Sequence, residues 1–215
     1  MKIGVFDSGV GGQAVANAIQ RELPEAELLV REDRANLPYG NKTPEVLLQL
    51  VTPILAGMVA DGCQIIVVAC NTVTTTIIDE LRKTADVPLV AVEPMIKPAV
   101  EQTVSGVIAV CATPATLNSA RYQTLKSTYA KNTLVLEPDC SDWAFMIETD
   151  TVDVDQVAER IKTVLAKGAD VVVLACTHYH WIEQEITLLC EGRAKVLQPE
   201  KPLIAQLKRV IAQLS

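Results

Sequence analysis

The chain has 215 residues, of which 49% are apolar and 21% charged, and its formal net charge is -7. This composition excludes a disordered chain and supplies enough residues for one large or two small α/β domains with a real hydrophobic core. Aromatics are only 4%, so stacking surfaces for single-stranded nucleic acid are scarce, and the overall negative field repels a phosphate backbone.

Met1-Lys2 leads directly into the apolar run Ile3-Gly4-Val5-Phe6, which reads as a strand rather than as the core of an export signal. No apolar stretch is long enough to span a bilayer, and a cytoplasmic protein is expected. Short β-branched runs follow at 2–7, 27–33, 64–69, 89–93, 107–112, 134–137, 171–175 and 195–197. Amphipathic helical stretches, such as 12–23, 44–61 and 153–167, alternate with them. Continuously apolar strands that alternate with helices predict parallel sheets covered on both faces, joined by right-handed crossovers.

Two segments repeat each other. Gly62–Thr72 and Gly168–His178 each read as a strand ending in Ala-Cys, followed by polar residues and a helix start. A second echo pairs Ile3–Ser8 with Val107–Thr113, both apolar strands ending in hydroxyl residues. The pattern predicts two similar parallel-sheet α/β domains related by pseudo-two-fold symmetry, with the active site in the cleft between them. Ligands of open α/β sheets bind beyond the carboxyl ends of the strands. The residues to inspect are therefore Asp7-Ser8, Asp33, Cys70-Asn71-Thr72, Glu93, Thr113 and Cys176-Thr177-His178.

Six cysteines are present, with no CxxC pair, and both histidines lie in one motif. Reduced thiols and no structural metal site are the expectation. A single cysteine at a strand end is usually a small buried hydrophobe. Two in matching positions, each before a helix N-terminus that favours thiolate, suggest chemistry instead. Inverting a carbon centre requires a base on one face and an acid on the other, and two facing thiols can exchange these roles. His178 is placed to assist Cys176, and Asp7 to assist Cys70. The glycine-rich turn Phe6–Gly12 lacks both GxGxxG and GK[ST], so it fits a carboxylate better than a nucleotide.

These residues, in this order, resemble the glutamate racemases of the aspartate/glutamate racemase superfamily. The resemblance rests on Phe6–Gly12, Asp33 with Pro38-Tyr39-Gly40, Ala69-Cys70-Asn71-Thr72, Glu93-Pro94, Ala112-Thr113 with Thr116 and Ser119, and Ala175–Tyr179. It implies a cofactor-independent two-base racemase, with no metal, that supplies D-glutamate for peptidoglycan. Cys70 would serve the D-glutamate face and Cys176 the L-glutamate face, with Asp7, His178, Asp33 and Glu148 as further catalytic residues. Asp7, Ser8, Pro38, Tyr39, Gly40, Asn71, Thr72, Thr113, Thr116, Thr177 and His178 would contact the substrate, a small acidic amino acid. The family's arrangement implies a first domain at 1–95 plus 192–215, a second at 96–191, and association as a homodimer. The chain departs from the family pattern by a contraction between Cys140 and Asp170, by His180 where a proline is usual, and by Gln198 where an acid is expected. A related racemase acting on aspartate or another amino acid, and a non-catalytic binding protein on the same fold, are the alternative readings.

Overall fold

The computed structural model describes residues 1–214. The chain divides into two compact units, Met1–Glu93 with the segment from Glu200 onward, and Pro94–Pro199. The first contains β1 (Lys2–Asp7), α1 (Gly11–Glu22), β2 (Glu27–Glu32), α2 (Pro44–Ala60), β3 (Ile65–Val68), α3 (Asn71–Thr84) and β4 (Leu89–Ala91). The second contains α4 (Ile96–Gln102), β5 (Val107–Cys111), α5 (Pro114–Asn118), α6 (Ala120–Tyr129), β6 (Leu134–Leu136), α7 (Trp143–Glu148), α8 (Val154–Ala166), β7 (Val171–Leu174), α9 (Glu183–Cys190) and β8 (Lys195–Leu197). The last helix, α10 (Glu200–Leu214), belongs to the first unit.

All eight strand runs in the sequence are strands, trimmed by a residue or two at some ends. Each sheet is parallel throughout, in the order β2-β1-β3-β4 and β6-β5-β7-β8. The two orders are the same once the numbers are offset by four. The repeat extends to register. Phe6 lies opposite Val68 and Cys111 opposite Leu174. The next bonds, from the Ala69 N–H to the Phe6 carbonyl and from the Ala175 N–H to the Cys111 carbonyl, are both 2.8 Å. Counting outward from these pairs, Ser8 corresponds to Thr113 and Cys70 to Cys176.

Burial on both faces explains why these strands read as unbroken apolar runs. In the first unit Ile3, Val5, Ile65 and Val67 pack against α1 and α10 through Val15, Ile19, Leu203 and Leu207. Phe6, Ile66 and Val68 pack on the other face against Leu47, Val51, Met58 and Ile77 of α2 and α3. In the second unit Ile108, Val110, Val171 and Val173 meet Ile96 and Tyr122. Ala109, Val172 and Leu174 meet Val157, Ile161, Val164 and Ile186. Each fully buried large aliphatic contributes roughly 1.5–3 kcal/mol.

The unit boundary differs from the expected one. The second unit runs to Pro199 rather than ending at residue 191, because β8 pairs with β7 and completes the second sheet. The chain crosses back only at Glu200, one helix before its end.

Candidate active site

In a doubly wound sheet, the switch point lies between the two strands whose connections run to opposite sides, and residues just beyond it are open to a ligand. In the first unit these strands are β1 and β3, in the second β5 and β7. Each switch point ends in one of the predicted thiols.

In the first unit Asp7 closes β1 and is fully buried. Its Oδ2 accepts the Gly9 N–H at 2.9 Å, a local turn that Asp forms readily. Gly12 is required here: a Cβ at that position would lie 2.7 Å from the Asp7 Cβ. Cys70 caps α3 and is 4% exposed. Its Sγ lies 3.3 Å from the Ser8 Oγ. Burial, followed by the Asp7 carboxylate, pushes the Cys70 thiol up to about 11, while hydrogen bonds from Ser8 and from the backbone of Val73 and Ser8 act in the opposite direction. The free protein therefore holds Cys70 protonated near neutrality, with donors already arranged to receive a thiolate.

Asn71 and Thr72 open α3 and are buried. Neither end of the Asn71 amide has a hydrogen-bond partner among the described residues. An unpaired buried amide is costly, which marks it as a group made for a ligand. Asp33, just past β2, accepts the Tyr39 hydroxyl at 2.6 Å. Tyr39 and Gly40 lie in a short 3-10 turn, 39–41. Tyr39 is buried, Gly40 half-buried and Pro38 exposed. Burial and the bond to Asp33 hold the Tyr39 phenol far above its ordinary value, with smaller contributions from Cys70 and Asp7.

In the second unit Cys176 follows β7, is 7% exposed, and leads into the 3-10 turn Thr177–Ile182. His178 Nδ1 lies 3.8 Å from the Cys176 Sγ, and His178 Nε2 lies 2.7 Å from Glu148 Oε1. A carboxylate behind an imidazole fixes the orientation of the ring. The turn is anchored by Tyr179. Its hydroxyl donates to the Cys140 carbonyl at 3.0 Å, and its ring meets Trp143 edge-on at 5.1 Å. Trp143 begins α7 and Glu148 ends it, so one short helix locates both Tyr179 and His178. At the end of β5, Thr113 accepts the Thr116 N–H and donates to the Thr116 hydroxyl at 3.2 Å. Thr116 and Thr177 are buried.

The first unit thus brings together Asp7, Ser8 and Cys70 and, beside them, Asp33 with Tyr39. The second brings together Cys176, His178 and Glu148, with Thr113 and Thr116 as a pair of their own. The sequence reading marked Gly9 and Gly12 only as members of the glycine-rich turn, not as the donor to Asp7 and the residue that leaves it room, and it missed the Val73 N–H, for which no local signal exists. All six cysteines are buried and none is in a disulfide among the described residues. Among the described residues no cluster of three or more His, Cys, Asp and Glu is placed to hold a metal ion, and no helix is long and apolar enough to cross a membrane.

Two parallel α/β units of the same strand order, each with a buried thiol just beyond its switch point, define the class as an α/β enzyme of duplicated architecture. The chain belongs to the Asp/Glu/Hydantoin racemase family, whose model matches residues 12–207. It is 35% identical over 216 residues to a protein named glutamate racemase from Pseudomonas syringae pv. tomato, covering 98% of this chain and 78% of that one. Among solved structures it is similar to Escherichia coli glutamate racemase in complex with L-glutamate and the activator UDP-MurNAc-ala. The TM-score is 0.91 at 26% identity, covering 98% of this chain and 82% of that one. It is likewise similar to the Francisella tularensis glutamate racemase in complex with D-glutamate, with a TM-score of 0.80 at 26% identity over 99% of this chain and 81% of that one.

Proposed function

We propose that the chain is a glutamate racemase that interconverts L- and D-glutamate without a cofactor, by proton transfer to and from two cysteines. The observation that carries this reading is the matched pair of thiols, one at each switch point, each with its own carboxylate-based partner. The α-proton of an amino acid is weakly acidic, so its removal needs a base in contact and stabilisation of the developing carbanion. From L-glutamate, Cys176 as thiolate takes the α-proton, with His178 and Glu148 supporting the charge change. Cys70, held protonated, delivers its proton to the opposite face, and Ser8 and the Val73 N–H receive the thiolate left behind. The reverse reaction exchanges these roles.

Asn71, Thr72, Thr113, Thr116, Thr177 and the Tyr39-Gly40 turn are assigned to hold the amino acid's polar ends. Asp7 stands beside Cys70, placed to tune it and to meet the substrate ammonium. Supply of D-glutamate to peptidoglycan, a cytoplasmic setting and association as a homodimer are part of the same reading.

The test is proton NMR of L-glutamate with the purified protein in deuterated water, without pyridoxal phosphate. The α-proton signal should vanish while the optical rotation decays to zero. L-Aspartate and other amino acids under the same conditions should react far more slowly. An unchanged glutamate spectrum, or faster loss from aspartate, would overturn the assignment.

A further inference from the structure

The geometry points to Asn36 as a positioning residue: its side-chain amide locks the Asp33 carboxylate, and through it the Tyr39 hydroxyl, against the Cys70 end of the first sheet. The Asn36 Nδ2 donates to both Asp33 oxygens, at 2.9 and 3.0 Å. The Asn36 backbone N–H donates to the Asp33 carbonyl at 3.2 Å, so the side chain is held over its acceptor. Asp33 itself is tied to β1, its N–H donating to the Asp7 carbonyl at 3.3 Å. Its Oδ2 then takes the Tyr39 hydroxyl at 2.6 Å. The chain of contacts runs from the strand that bears Asp7 to the buried Tyr39, and Asn36 is the member that leaves the carboxylate one orientation.

The consequence is chemical. A phenol that spends its proton on Asp33 presents only lone pairs to its remaining neighbours, so Tyr39 becomes a fixed acceptor. The backbone of the Tyr39-Gly40 turn is fixed with it. Without Asn36 the carboxylate can rotate, the phenol loses its single acceptor, and the turn loosens. Asn36 touches no reacting atom, so its effect falls on substrate binding more than on the proton steps. This inference rests on the proposed function, in which the Tyr39-Gly40 turn meets the substrate.

Two variants test it, with steady-state racemisation of glutamate at neutral pH. Asn36→Ala removes the donor and should raise KM about tenfold, with kcat changed by less than about threefold. Asn36→Asp keeps the size but sets a second carboxylate, an acceptor without a donor, against Asp33, and should raise KM at least as far as Asn36→Ala with the same small change in kcat. Wild-type KM in either variant, or a loss in kcat as large as the rise in KM, would overturn the inference. A wild-type protein that does not racemise glutamate would instead remove the functional reading, and the role of Asn36 with it.

Discussion

Cys70, an acid and base in the proposed reaction, lies in an environment that favours the thiol yet offers donors to a thiolate. Burial and Asp7 keep its proton on, and the Ser8 hydroxyl and two backbone N–H groups stand ready for the thiolate. Much depends on where Asp7 sits, and Gly12 decides that. A methyl group there would stand 2.7 Å from the Asp7 Cβ, which is rooted in β1 and cannot swing away. Gly12→Ala should therefore displace either the start of α1 or the Asp7 carboxylate. A misplacement of this kind costs on the order of 10²-fold in activity, and overpacking lowers stability by roughly 1–3 kcal/mol. Steady-state kinetics and thermal melts of that variant check both, and wild-type turnover would show that Asp7 need not be held so closely. At this scale the sequence was legible only where residue type and strand position coincide. Asp7, Cys70 and Cys176 stand at or just past strand ends, and His178 follows Cys176 by two residues in the next turn. Glu148 lies thirty residues from the histidine it contacts, and nothing local relates the two, so it was reached through family resemblance. Asn36 looks like one more polar loop residue until its contacts are seen.

Among the elements, α7 does the most with the least chain. Its six residues place Trp143 against Tyr179 and Glu148 against His178. The helix ends in a paired cap: the Asp150 N–H donates to the Ile147 carbonyl and the Thr151 N–H to the Met146 carbonyl at 2.8 Å. The turning residue is Asp150, with φ 56°, a left-handed position that suits glycine and costs other residues. Asp150→Gly should stabilise the second unit by about 0.5–1 kcal/mol. That corresponds to a melting rise of roughly 1–4 °C, with kcat/KM within about twofold of wild type. A lower melting temperature would mean that the Asp150 side chain contributes something its backbone strain conceals. The eight strands were readable because burial on both faces leaves an unbroken apolar signature. The short helices α4, α5 and α7 were not, because five to seven residues carry too little periodicity to separate a helix from a turn. β8 was readable as a strand. Its partner was not, which is why the unit boundary was expected too early.

For the molecule as a whole, the repeated topology matters most. Two sheets of the same order and matching register place Cys70 and Cys176 at equivalent points. In the proposed reaction each copy of the repeat contributes one of the two proton-transfer groups that inversion of a carbon centre requires. The duplication was visible in the Ala-Cys echo, whereas the differing partners of the two thiols, Ser8 with Asp7 and His178 with Glu148, had diverged too far to be matched by pattern. The most direct measurement follows deuterium during the first turnovers of L-glutamate in deuterated water, for the wild type and for Cys70→Ser and Cys176→Ser. Two bases on opposite faces predict that deuterium enters the D-glutamate formed while the remaining L-glutamate stays protonated, and that either substitution reduces interconversion by on the order of 10³-fold or more in both directions. Deuterium returning to L-glutamate faster than D-glutamate forms, or a serine variant that keeps wild-type turnover, would contradict it.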